Sequence, residues 1–311
     1  MIFGLVPLPA PAEVEYAHNV DRKLSDKQID YRWQMLQTRL FEKRISEAFV
    51  FLREKQIEPI LIKGWAAARV YPQSYLRQFG DIDLMVAPDR YHEAVNSLVH
   101  FKNKNLIDLH CGARHLDRLS FEKLFSDSET VQCGETEVRV LRPEDHLRIL
   151  CVHWLTDGGE YREKLWDVYY AVENRPADFD WDRCLNAVGD TRKKWIICTV
   201  GLAHKYLGLN LDNTPLKNTI GEIPQWLIDT VEEQWKTDLR LTPLHNCLHD
   251  KKELYRQIKK RFPPNPIQAT VEMEGNFDDR PRIKYQIGSM LYRFKPSVKR
   301  IVKTILDKYR R

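Results

Sequence analysis

Apolar residues recur every three or four positions from about Ser25 to Gln56, with Ile29, Trp33, Leu36, Leu40 and Ile45 on the repeat. That spacing predicts one long helix, and Glu58-Pro59 breaks it. Ile60-Leu61-Ile62 is a short apolar run ending at Lys63-Gly64 and reads as a buried strand. Trp65–Val70 reads as a short helix closed by Tyr71-Pro72. Asp81-Ile82-Asp83-Leu84-Met85-Val86 alternates acid and aliphatic residues, the period of a strand with one polar face. Asp89–Phe101 follows as an amphipathic helix, then Leu106–Cys111 and Thr136–Leu141 as further strands. Strands alternating with helices over about 57–142 predict a small mixed α/β unit.

The pattern changes after Pro143. Pro143-Glu144-Asp145 suits a first helical turn, because proline fits that turn and acids complement its dipole. Helical periodicity runs from there to about Gly208, with breaks near Asp157-Gly158-Gly159 and Arg175-Pro176. Asn210–Pro224 reads as a connection, and Pro263–Pro281 as an irregular arm before a terminal helix. Four regions are therefore expected: an N-terminal helical segment (1–56), the α/β core (57–142), a helical domain (143–250) and a basic C-terminal extension (251–311).

Composition narrows the class. With 311 residues, 43% hydrophobic and 30% charged, the chain can bury its own core without disulfide staples. The six cysteines include no CxxC pair, which favours reduced thiols and a cytoplasmic setting over a structural zinc site. No apolar run reaches 18 residues, so no transmembrane segment is expected. The N-terminal MIFGLVPLPAPAEVEY lacks a leading basic residue and makes a poor signal peptide.

The net charge of +5 is unevenly spread. Arg280–Arg311 holds eleven Lys/Arg against one acid, and Lys251–Arg261 holds six against one. The remaining chain is net −10. Ile283, Ile287, Leu291, Phe294, Val298, Ile301 and Ile305 recur at helical spacing through the last basic stretch. Such a helix either docks on the body with a solvated basic face or contacts nucleic acid or an anionic membrane surface.

The chemistry concentrates upstream. Asp81 and Asp83, two apart on a strand, point to one face and can grip a hard cation through oxygen. Asp108 on a further strand supplies a third carboxylate, which completes a site for two metal ions. Gly64, just past a strand, lets the backbone come close to a triphosphate. His110 shares a strand face with Asp108 and is expected beside the ligands or on the acceptor side.

These residues resemble the DNA polymerase β-type nucleotidyltransferases, specifically the bacterial branch of uncharacterised nucleotidyltransferases. Ile62-Lys63-Gly64, Tyr71-Pro72, Arg77 and Gly80–Val86 carry the likeness closely; Val138–Asp145, Leu150–His153 and Leu165–Val168 carry it more loosely. It spans roughly residues 35–205. The resemblance implies a polymerase β-type mixed-sheet core and transfer of a nucleotide from an NTP to an acceptor hydroxyl. It also implies two magnesium ions held by Asp81, Asp83 and Asp108. Trp65 stands where better-known members carry a Ser that helps hold the triphosphate. Lys63, Gly64, Trp65, Arg77 and Gly80 are then the expected nucleotide-facing set, with Lys63 and Arg77 taking over phosphate contact. The acceptor stays open between a small molecule or sugar metabolite, an RNA end and a protein hydroxyl. A catalytically inactive nucleotide- or partner-binding module is the alternative outside enzymes.

Overall fold

The computed structural model describes residues 20–113, 116–218, 221, 223–237, 239 and 241–293. The expectations for 1–16 and for the terminal helix beyond 293 fall outside these residues.

Helix α1 (Val20–Arg53) is followed by β1 (Ile60–Leu61), α2 (Trp65–Ala68), β2 (Ile82–Val86), α3 (Tyr91–Leu98) and β3 (Ile107–Cys111). Helix α4 (Phe121–Ser126) and the hairpin β4 (Glu129–Cys133) and β5 (Thr136–Val140) complete the unit. The five strands form one mixed sheet in the order β3-β2-β1-β5-β4. β1 runs antiparallel to β2 and parallel to β5, while β2 and β3 are parallel.

Side-chain alternation splits the sheet between two cores. Leu61, Ile82, Leu84 and Val86 face one way, onto Phe41, Ile45, Phe49 and Leu52 of α1 and onto Ala94 and Leu98 of α3. Ile60, Ile62 and Met85 face the other way, onto Leu124 and Ile149. The acids of β2 belong to this second face, so they look toward the helices that follow.

Those helices are α5 (Pro143–Thr156), α6 (Leu165–Glu173), α7 (Trp181–Asn186), α8 (Asp190–Leu207), α9 (Gln225–Trp235), α10 (Lys251–Arg261) and α11 (Pro266–Glu272). A final helix, α12, occupies 283–293. The mixed sheet followed by mainly helical structure is the expected class. The third core lies among α5, α6, α8, α9 and α11, where Trp154, Trp195, Leu227, Ile267 and Phe277 are fully buried. All six cysteines are free, and only Cys111 is exposed.

Three local features add to or depart from the sequence pattern. In α1 the exposed residues are Trp33, Leu36 and Leu40, and the buried stripe is Phe41, Ile45, Ala48, Phe49 and Leu52. The helix meets the sheet through its second half, while its first half lies against the 74–76 turn, where Tyr31 meets Tyr75. Glu129–Cys133 pairs with β5 around Gly134, whose φ of +58° a glycine adopts without strain. Its mixed polar composition hid that strand. The supposedly irregular arm contains α11, started by Asn265, which accepts from the N–H groups of Ile267 and Gln268. Pro266 takes the first-turn position of α11.

A closed charge network ties these layers together. Arg148 of α5 reaches Asp117 at 2.9 Å and Asp145 at 2.8 Å, and Arg183 of α7 joins Asp145 to Asp127 at 2.7 Å each. Arg148, Asp117 and Asp145 are at most 1% exposed at the side chain.

Candidate active site

The strand register brings the sequence-predicted acids together. Asp83 of β2 pairs with Asp108 of β3, two positions before His110. Parallel in-register strands put paired side chains on the same face, so Asp83, Asp108 and His110 converge. One ligand atom from each lies within 4.8 Å of the others. His110 Nε2 lies 3.1 Å from Asp83 Oδ1 and 3.3 Å from Asp108 Oδ2. Asp81, two residues before Asp83 on the same face, is exposed.

The three carboxylates differ in environment. Asp83 is only 4% exposed, yet it is driven down to about 2. Burial pushes it up, and hydrogen bonds from His110 and Lys63 outweigh that. Asp108 has 57% of its side chain in solvent, and its bond to His110 holds it below the ordinary carboxylate value. Asp81 moves upward, through burial and then repulsion from Asp83, with Asp108 adding to it. His110 moves upward because its bonds to Asp108 and Asp83 overcome burial.

The Lys63–Gly64 turn explains much of this geometry. Gly64 sits at φ 58° and ψ −116°, a conformation closed to side-chain-bearing residues. A Cβ there would lie 3.4 Å from the Asp81 carbonyl and 3.9 Å from Asp83 Oδ2. The backbone therefore passes directly over the acids. Lys63, buried at the end of β1, places Nζ 2.6 Å from Asp83 Oδ1.

The other expected nucleotide-facing residues are placed differently from one another. Trp65 is buried in the core between α1 and the sheet, and its indole N–H donates to Glu42 at 3.1 Å. Its side chain thus anchors α1 and does not face the carboxylates. Arg77 grips Asp167 of α6 through two bonds of 2.9 and 2.8 Å, and Tyr71 donates to the same carboxylate at 2.7 Å. Gly80 is exposed, with open space where a side chain would project.

Sequence reasoning missed the helical contribution. The end of α5 and the turn after it bring His153 within electrostatic reach of Lys63 and Asp83, and Lys164 within reach of Asp81. Lys164 is held by Asp157 at 2.7 Å. His153 is pushed down to about 4, by burial first and then by Lys63, so its ring is neutral. The Gly158-Gly159 break marked a turn here, but nothing in the local sequence aimed it at the acids.

The donor set suits a hard cation. The atoms that converge are those of Asp83, Asp108 and His110, with Asp81 beside them and raised by burial first and then by Asp83. Carboxylate oxygens are the ligands that magnesium or manganese prefers. The Lys63 ammonium already stands against Asp83 as a positive charge would.

Residues 15–101 match the model of a family described as uncharacterised nucleotidyltransferase. The match supports nucleotidyl transfer as the general activity, with an NTP as substrate. The matched segment contains the Lys63-Gly64 turn, Asp81 and Asp83 and ends before Asp108 and His110. No curated protein and no solved structure matches the chain significantly.

Proposed function

We propose that this nucleotidyltransferase moves an NMP from an NTP to an acceptor hydroxyl, with Asp81, Asp83 and Asp108 as the metal-holding carboxylates and magnesium, as two ions, as the metal. The in-register pairing of Asp83 with Asp108, bridged by His110, is the observation that carries this reading. When bound, divalent cations neutralise phosphate charge and acidify a hydroxyl.

The chain's own residues supply positioning. Asp83, fixed by Lys63 and His110, stays ionised and keeps its orientation. Asp108, open to solvent, takes the acceptor's proton as the acceptor oxygen bonds the α-phosphorus. The bond from there to the β-phosphate oxygen breaks, and pyrophosphate leaves. The Gly64 backbone lies along the phosphates, and Lys164 and Lys63 offset their charge. Arg77 and Tyr71 hold the loop between Gly64 and Gly80 on α6, so they act by fixing that loop and not by touching phosphate. Phosphoryl transfer gains most from such placement and charge neutralisation.

The acceptor in this reading is a small molecule, a sugar metabolite first. Outside its two basic stretches the chain is net −10, which repels a polyanion.

Thermal unfolding with each of the four NTPs, with and without magnesium, tests the site. The wild type is compared with Asp81→Asn/Asp108→Asn, which leaves the buried Lys63–Asp83 pair in place. A ligand at about 100 times its Kd adds about 2.7 kcal/mol. The expected result is a magnesium-dependent rise for at least one NTP, absent in the variant. No rise with any NTP would overturn the site. A rise without turnover across acceptor pools would favour a nucleotide-binding module.

A further inference from the structure

Helix α12 is two-sided. One side is docked: Gln286 donates to the Pro264 carbonyl, Ser289 and Arg293 bond Glu272, and Gly288 lies against Met273. The other side carries Ile283, Ile287 and Leu291, which are 56%, 49% and 64% exposed. These three fall four residues apart, so they form one aliphatic stripe along the outer face. In the sequence, Phe294, Val298, Ile301 and Ile305 continue the same three-and-four spacing. Single exposed aliphatics are ordinary on a protein surface, but a row aligned on a docked helix is not.

Basic residues outnumber acids around this stripe, although Lys284 of α12 pairs with Asp279 at 3.2 Å and Arg293 pairs with Glu272 at 2.8 Å. Exposed Arg280 precedes the helix, and in the sequence alone residues 294–311 carry seven Lys/Arg against one acid. Helix α10 is the neighbour at one end. Phe262, just past it, is 52% exposed, and Arg261 lies near enough to Arg293 to feel its repulsion. Lys251, Lys252 and Lys259 of α10 are exposed as well.

We infer that α12 and the neighbouring end of α10 form a peripheral docking surface for an anionic lipid bilayer. The aliphatic stripe would enter the boundary between headgroups and acyl chains, and the basic residues would lie against the headgroups. Charge complementarity alone fits any polyanion, and the stripe decides between them. Isoleucine and leucine offer a nucleic acid neither stacking faces nor hydrogen bonds, whereas acyl chains accept them readily. No helix among the described residues is long and apolar enough to cross a membrane, so the contact lies on the surface and does not span it.

Flotation of the full chain with vesicles tests this. Vesicles of phosphatidylcholine alone are compared with vesicles containing about one third phosphatidylserine, at near-physiological salt. The chain is expected to float with the anionic vesicles only. Ile283→Ser/Ile287→Ser/Leu291→Ser is expected to weaken partition by about a hundredfold with its melting temperature little changed, since the three side chains are 56%, 49% and 64% exposed. Lys259→Gln/Arg280→Gln, at the end of α10 beside α12 and just before α12, is expected to weaken it about tenfold. Failure to float, or equal flotation of the serine variant, would overturn the inference. So would RNA retention that the serine variant leaves untouched while flotation is lacking; the surface would then serve nucleic acid.

Discussion

Two clusters of charge in this molecule behave in opposite ways. Around Arg148, carboxylates and guanidiniums alternate, and Arg148, Asp117 and Asp145 are sealed from water. Around Asp83, three acids share one lysine and one histidine, Asp81 and Asp108 remain in solvent, and the acids are displaced in opposite directions. A sealed, alternating cluster holds layers together. An open, acid-rich cluster leaves charge to be met by something from outside. Burial and charge count separate the two roles where residue type alone does not.

Asp83→Asn strikes the open cluster hardest. Turnover is expected to fall by more than about 10³-fold while circular dichroism stays native. Activity within tenfold of wild type would remove Asp83 from the chemistry. Arg148→Met should reverse that pattern, destabilising the chain by about 3–5 kcal/mol in urea because it leaves buried Asp117 without its guanidinium and Asp145 with Arg183 alone. A loss under about 1 kcal/mol would mean the sealed cluster is not structural.

A smaller effect comes from pH. Burial, helped by repulsion from Arg69 and Arg77, pushes His146 down to about 4, whereas an unfolded histidine titrates near about 6.5. The folded-state value is the depressed one. The buried neutral ring therefore contributes fully above about pH 6.5, and its contribution is lost as pH falls toward 4. His153 moves the same way. Stability should fall by about 1–3 kcal/mol per histidine across that window, and His146→Phe should flatten the slope. A slope equal to wild type would show that His146 does not carry it.

The smallest expected effect sharpens the boundary between the clusters. Arg77→Lys and Asp167→Asn should couple by about 1–2 kcal/mol in a double-mutant cycle of unfolding, since a lysine cannot reproduce the two-pronged contact. Additive losses would show that the contact binds nothing together.

The sequence was most informative where structure is local. The two-residue alternation in Asp81–Val86 set which acids share a face, and the Lys63-Gly64 turn announced a close backbone approach. That Asp108 lies level with Asp83 depends on strand register across 24 intervening positions, and periodicity carries no such information. In α1 the apolar repeat was real, but which repeat is buried depends on where the sheet meets the helix. Lys164 and His153 reach the acids only because α5 docks on the sheet's second face. Asn265 and Pro266 were legible as a helix start and were passed over amid the surrounding prolines.

The Arg77–Asp167–Tyr71 contact also has a mechanical meaning. It is a short, stiff tie from the loop beside the acids to the second helical layer, and its three bonds all end on one carboxylate. Such a tie resists hinge opening between sheet and helices, so the distance between the acids' loop and α6 is set before any ligand arrives. Neither end can drift alone without stranding a buried charge. In any set of related chains, the residues at 71, 77 and 167 should therefore change together or not at all.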